Sequence, residues 1–329
     1  MVKPTKRGPL RRRLVTISIY SLSWVLLTLL SPVWLPLGFV VGMVRGRSFI
    51  LLRVLIFAWF YFGLELIALV LVAWTFVTRP SGEPRLRSLY QLQSWWASVT
   101  LKVASALLRL AFVVEGADCA VPGPSNLLIR HASILDTLLP SVYVQRPYGF
   151  RVRYVLKQEL LFDPCIDIVG NALPNYFVDR TGDIGRELEG MRALVEDLGT
   201  DGVLMFPEGT RFSKKKQANA LRKLDAESSP LFDAARELTH VLPPKPGGVL
   251  TLLDALPHVD CVFFAHTGLE AFAKIEDLLS GAVVGSTVHV QLWRVDANEI
   301  PGTTDERIRW LYAQWGKVNA FVRNPTETQ

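Results

Sequence analysis

The stretch Leu127-Leu128-Ile129-Arg130-His131-Ala132-Ser133-Ile134-Leu135-Asp136 carries an unbroken apolar triplet into a polar junction and out again into a helix-like run. An apolar run without polar alternation is the pattern of a strand buried on both faces, and such strands belong to parallel sheets covered by helices. Working outward, residues 112–114, 154–156, 203–206, 259–264 and 288–295 read as further strands. Residues 134–144, 183–198, 230–238 and 305–322 read as helices between them, with Asp183, Glu187 and Glu189 at the start of one and Gly199 after its end. Strands and helices in alternation predict an α/β sandwich with a mostly parallel sheet. The lysine-rich stretch 213–229, holding Lys214, Lys215, Lys216, Arg222 and Lys223, reads as a loop insertion.

Upstream the composition is different. Half of the 329 residues are hydrophobic, and residues 14–44 contain no charge at all. About 20 apolar residues already cross a hydrocarbon layer, so this run is long enough to span, to kink at Pro32 and Pro36, or to re-enter. A second apolar run, 54–78, is interrupted only by Glu65, whose cost in lipid predicts a helix neighbour or a headgroup beside it. Both runs are apolar all round instead of striped, which disfavours core helices of a soluble protein. Two N-terminal membrane helices are therefore expected, within an anchoring region 1–84 ahead of a catalytic domain 85–329. The basic start, with Lys3, Lys6, Arg7, Arg11, Arg12 and Arg13, is expected to stay cytoplasmic, although Arg45, Arg47 and Arg53 then fall on the opposite side. Residues 85–110, with Trp95 and Trp96, read as an amphipathic helix along the interface.

Net charge is +6, with the basic residues clustered, which suits anionic headgroups or phosphate-bearing substrates. Nothing resembles a nucleic-acid recognition element. Cys119, Cys165 and Cys261 stand too far apart for a zinc framework or disulfide set and read as buried small hydrophobes. No metal and no cofactor is expected.

His131 at the end of a strand, with Asp136 five residues on, can fold back so that the carboxylate fixes the imidazole tautomer and leaves the other nitrogen as a base. The pair is ordinary alone and gains weight from its company. Phe206-Pro207-Glu208-Gly209-Thr210-Arg211 follows a strand and brings a turn glycine, a carboxylate and a guanidinium fork suited to phosphate oxygens. Phe177-Val178-Asp179-Arg180 supplies a second arginine. His240, His258, His266 and His289 have no aspartate at that spacing and read as structural or solvent-facing, His266 being the one to re-examine.

Over roughly residues 95–260 the chain resembles the glycerolipid acyltransferase family, which includes 1-acylglycerol-3-phosphate acyltransferases. The resemblance rests on His131/Asp136, Phe177/Arg180, Phe206 to Arg211 and the proline block Val241-Leu242-Pro243-Pro244-Lys245-Pro246-Gly247-Gly248, in that order, with Lys157-Gln158-Glu159-Leu160 between the first two. Arg130 stands where the family usually has Asn, and Pro174 where a glycine is expected. The resemblance implies His131 and Asp136 as catalytic residues, and Phe177, Arg180, Glu208, Gly209, Thr210, Arg211 and Pro243 as substrate-binding ones. It also implies an acyl-coenzyme A or acyl-carrier-protein donor and a lysophospholipid acceptor in a bilayer. On this reading Glu208 aligns Arg211 or a glycerol hydroxyl, and backbone donors at Ala132 and Ser133 meet the oxyanion. Without a Gly-x-Ser-x-Gly elbow or a cysteine beside a histidine, direct transfer is expected over an acyl-enzyme. A bacterial inner membrane, with the catalytic domain facing the cytoplasm, is the expected location. The rival readings are acylation of another lysophospholipid or of glycerol 3-phosphate, a membrane hydrolase using the same pair on water, and a non-catalytic lipid-binding scaffold.

Overall fold

The computed structural model describes residues 9–45, 49–179, 184–272 and 275–325. Lys3, Lys6, Arg7, Arg47, Arg180 and Asp183, singled out above, lie outside the described residues. Four helices, α1 Pro9–Leu29, α2 Ser31–Arg45, α3 Ile50–Thr78 and α4 Glu83–Leu108, precede seven strands. The strands are β1 Ala111–Glu115, β2 Ser125–Ile129, β3 Val152–Lys157, β4 Tyr176–Val178, β5 Gly202–Met205, β6 Asp260–Thr267 and β7 Thr287–Val295. The chain divides into two units, the first made of Met1–Ala111, Leu156–Arg180 and Lys274–Ser286, the second of Phe112–Val155, Thr181–Ala273 and Thr287–Gln329.

In the first unit α3 is long and apolar enough to cross a membrane, and α1 and α2 form a pair bent by 70°. The bend falls just before Pro32, where a helix cannot continue its hydrogen-bond ladder. Carbonyls released there are taken up locally: the Trp34 indole N–H donates to the Leu27 carbonyl at 2.7 Å, and the Ser31 hydroxyl donates to the Thr28 carbonyl at 2.7 Å. Leu14, Leu22, Leu26, Leu37, Phe39 and Trp74 are exposed, as a lipid-facing surface requires. Glu65 is fully buried beside the Pro164–Ala172 helix, whose Cys165 thiol donates to the Glu65 backbone carbonyl, while both carboxylate oxygens are without a hydrogen-bond partner among the described residues. That helix is capped by Asp163, which accepts from Ile166 N at 2.9 Å and from the Tyr61 hydroxyl at 2.6 Å. Its Asp167, fully buried, accepts two hydrogen bonds from Arg12, at 2.8 and 2.9 Å, and one from Arg13 at 3.2 Å. α4 turns its apolar face inward, where Leu89 and Tyr90 pack with Val72, Val169 and Leu173. Arg53 donates to the Leu107 carbonyl in the last turn of α4, so the C-terminal end of a helix dipole receives this arginine.

In the second unit the strands lie in the order β1-β7-β6-β2-β5-β3. β2 runs parallel to both β5 and β6, β3 parallel to β5, and β7 antiparallel to β6. Every residue of β2 and β5 is buried, as expected of central parallel strands, whereas β7 alternates between buried and partly exposed positions along most of its length. This is the α/β class and mostly parallel sheet read from the sequence. Local departures occur. The expected helix 134–144 begins as a tight turn, Leu135–Leu138, and continues as a wide one, Ser141–Gln145. The expected loop 213–229 contains a helix, Lys214–Ala226, whose Ser213 cap accepts from Lys216 N at 3.3 Å.

Candidate active site

In an open parallel sheet, ligands bind beyond the carboxyl ends of the strands. Three neighbouring parallel strands, β6, β2 and β5, end together there, and the chain leaving each delivers one part of the site. β2 delivers Arg130 and His131, β5 delivers the loop Phe206 to Arg211, and β6 delivers His266.

His131 Nδ1 lies 3.3 and 3.2 Å from the two oxygens of Asp136, which is fully buried. The contact depends on the turn after β2. Ala132 N and Ser133 N donate to Asp136 Oδ2 at 2.7 and 2.8 Å, and the Ser133 hydroxyl accepts from Asp136 N at 3.2 Å. The aspartate thus caps its own turn and holds the histidine at once. Burial works against the Asp136 carboxylate, but contacts from His131 and His266 outweigh it and keep the group well below the ordinary range. It is therefore an anion at neutral pH, able to keep the proton of His131 on Nδ1 and leave Nε2 as a base. The same geometry corrects one expectation: Ala132 and Ser133 N–H groups are spent on Asp136 and are not aimed at an oxyanion.

The loop after β5 is bound to the backbone on both sides of the His131 ring. Glu208 Oε1 accepts from His131 N at 3.2 Å, and Phe212 N donates to the His131 carbonyl at 2.9 Å. The Phe206 ring lies 4.4 Å from the imidazole, centroid to centroid. A turn makes this possible: Gly209 N donates to the Phe206 carbonyl at 2.9 Å with Pro207 at the second position, and Gly209 adopts a φ of 66°. A Cβ at Gly209 would meet only the Lys245 side chain, at 3.4 Å or more, so the glycine is needed for its conformation rather than for space.

Glu208 is 1% exposed, and its second oxygen accepts from Leu242 N at 3.3 Å. With both oxygens on backbone N–H groups it does not align Arg211 or reach for a hydroxyl; it ties the β5 loop to His131 and to the proline block, where Pro243 is buried. Burial pushes its carboxyl up to about 8, against the lowering influence of Arg130 and the two backbone donors, so it carries its proton at neutral pH. Thr210 and Arg211 are partly exposed, and the Lys216 ammonium donates to Thr210 Oγ1 at 2.9 Å and to the Arg211 carbonyl at 3.0 Å. Lys245 donates its backbone N–H to the Pro207 carbonyl at 2.8 Å, placing a further cation beside Gly209. Phe177 is on β4 in the first unit, where its ring fills the space over Gly170.

Sequence reasoning passed over the roles of Lys216, Lys245, Arg130 and His266. Arg130, at 1% exposure, donates to the His266 carbonyl at 2.7 Å, to Glu270 Oε1 at 2.6 Å and to the His240 carbonyl at 3.2 Å. It binds the ends of three chain segments together. His266 has no carboxylate nearby in sequence; its partner is Asp136, 130 positions away in the chain and 3.6 Å away in space. The register of β2 on β6, which sets Ile129 beside Phe264, is the signal that joins them. Cys165 and Cys261 are buried, as expected, whereas Cys119 is only half-buried.

Residues 113–264 match the family model described as acyltransferase. In fold the chain is similar to the 1-acyl-sn-glycerophosphate (LPA) acyltransferase PlsC from Thermotoga maritima, with a TM-score of 0.53 over 96% of this chain and 98% of that one, at 15% sequence identity. No curated protein gives a sequence match.

Proposed function

We propose, from the match of residues 113–264 to the acyltransferase family model, that the chain transfers a fatty acyl group from a thioester to the free hydroxyl of 1-acylglycerol 3-phosphate, giving phosphatidate. The observation that carries the reading is the His131/Asp136 pair held against the Phe206–Arg211 loop at the carboxyl ends of β2 and β5. His131 Nε2 takes the hydroxyl proton as the oxygen attacks the thioester carbonyl. The tetrahedral adduct collapses with cleavage of the carbon–sulfur bond, and the proton on His131 passes to the departing thiolate. Asp136 holds the ring and balances the imidazolium between these two transfers. Glu208 holds the backbone of His131 in place. Arg211 is our choice for the acceptor phosphate, with Thr210 beside it, Gly209 supplying the turn through its φ of 66° and Pro243 buried behind Glu208; Phe177 and Arg180 keep the substrate-binding role that the family resemblance implies.

The donor is acyl-coenzyme A or acyl-carrier protein. α3 and the bent α1–α2 pair anchor the chain in a bilayer, for which a bacterial inner membrane with the site facing the cytoplasm is our assignment. The test is thiol release from acyl-coenzyme A by membranes holding wild type or His131→Ala. Lysophosphatidate, glycerol 3-phosphate, other lysophospholipids or no acceptor would be offered in parallel. We expect release that depends on lysophosphatidate and falls about 100-fold or more in the variant. Equal release by the two proteins would sink the reading; release without any acceptor would favour the hydrolase.

A further inference from the structure

Asp136 is shared. Besides His131 it is approached by His266, a fully buried histidine on β6 whose Nε2 lies 3.0 Å from the Arg130 carbonyl and 3.6 Å from Asp136 Oδ2. His266 Nδ1 is buried and has no hydrogen-bond partner among the described residues. A proton placed on Nδ1 would be an uncompensated buried donor, which favours the tautomer with the proton on Nε2, where it is donated to the Arg130 carbonyl with the carboxylate close beside it. The contact with Arg130 is reciprocal, since Arg130 returns a hydrogen bond from its guanidinium to the His266 carbonyl at 2.7 Å. Arg130 N also donates to the Phe264 carbonyl at 3.1 Å, continuing the β2–β6 ladder to the residue before His131.

We propose that His266 is a positioning residue for the transfer reaction: its Nε2–H fixes the carbonyl immediately before His131 and lies against the carboxylate behind it, setting both the placement and the basicity of His131. This rests on the reading of His131 and Asp136 given above. The physical content is a division of charge. Asp136 Oδ2 faces the Ala132 and Ser133 N–H groups, the His131 ring and the His266 ring. Each donor that draws on the carboxylate leaves less of its negative charge to hold a proton on His131. Removing His266 therefore leaves more of the carboxylate's charge facing the His131 ring and frees the carbonyl that anchors it. The other charged groups facing this cluster are Glu208, on His131 N, and the Arg130–Glu270 pair at 2.6 Å on the carbonyl side of His266.

The experiment compares wild type, His266→Gln, His266→Leu and His131→Ala in the full chain in membranes. It measures kcat, KM for lysophosphatidate, the pH profile of kcat/KM and the melting temperature. Glutamine reproduces a donor near the Nε2 position and leucine does not. For His266→Leu we expect kcat lowered about tenfold or more, KM within about twofold, and the acid limb of the profile moved to higher pH. His266→Gln should recover most of the rate and the wild-type limb. The proposal is overturned if His266→Leu leaves kcat and the acid limb unchanged. It is equally overturned if both His266 variants lose rate in step with melting temperature while the limb stays in place, the pattern of a residue needed only for folding. An active His131→Ala would remove the underlying reading as well, whereas an inactive one beside a normal His266→Leu would remove this proposal alone.

Discussion

Replacing Asp136 by asparagine exchanges one carboxylate oxygen for an amino group and tests the logic of the site. Ala132 N and Ser133 N both donate to Oδ2, at 2.7 and 2.8 Å, so the amide oxygen of the substituted side chain must take that position and its NH₂ group must face His131. Where Nδ1 had faced two acceptors it then faces an oxygen at 3.2 Å and an N–H donor at 3.3 Å, so the Nδ1–H tautomer loses its advantage and the proton is released to settle on Nε2, the atom required as base. The turn survives because its two backbone bonds survive, while general-base catalysis is lost. That contribution is about 10²–10⁴ in rate, or about 3–5 kcal/mol of barrier. The assay is thiol release from acyl-coenzyme A with saturating lysophosphatidate, alongside the melting temperature in detergent. We expect kcat to fall in that range with KM little changed, and melting to drop modestly as a buried carboxylate with several donors becomes an amide. A variant with kcat within about threefold of wild type, properly folded, would refute the assignment of Asp136 as the group that sets the tautomer.

Glu208 gives a pH-dependent expectation. Its carboxyl is raised from 4.5 to about 8 in the folded chain, so its contribution is fully present below about pH 4.5 and is lost as pH rises through 8. The span corresponds to about 5 kcal/mol at most, and Glu208→Gln should flatten the decline in melting temperature between about pH 5 and 9; a parallel decline in both proteins would contradict it. At Gly209 the φ of 66° makes alanine cost about 1–2 kcal/mol through backbone strain alone. Gly209→Asn should lose less, and identical melting of both variants and wild type would show that the turn is not under this constraint.

How much of this was legible in the sequence varies with the range over which the physics acts. The central strands announced themselves because 127–129 and 203–205 are apolar without interruption and are buried on both sides. Histidine, aspartate and the Phe206–Arg211 block were legible as residues, but Asp136 also had to close a turn, and only in the folded chain does its Oδ2 consume the backbone donors assigned to the oxyanion. The Lys214–Ala226 helix escaped notice because it has no fully buried position and hence little hydrophobic period; its signals were helix-forming Lys, Gln, Ala, Leu and Arg after a Ser cap. The Pro246–Ala255 helix hid behind Pro246, Gly247 and Gly248, although proline at a first helical turn is an ordinary start. The role of His266 was invisible because spacing rules see only local partners, and β6 reaches β2 across more than 130 positions. Glu208 looked like a substrate ligand because a carboxylate in a conspicuous loop invites that reading, yet the backbone claims both of its oxygens.

The paired arginines at the start of α1 have a consequence in time. Arg12 and Asp167 are 155 positions apart, and at about 5–20 residues per second the ribosome completes the second about 8–30 s after the first. For that interval the arginines are cations beside an apolar helix without the carboxylate that later pairs with them. Once Asp167 emerges it binds them and draws the Pro164–Ala172 helix onto α1. The contact that joins the two helices therefore cannot form until half of the chain has been made, and the buried Asp167 finds both its cations already waiting.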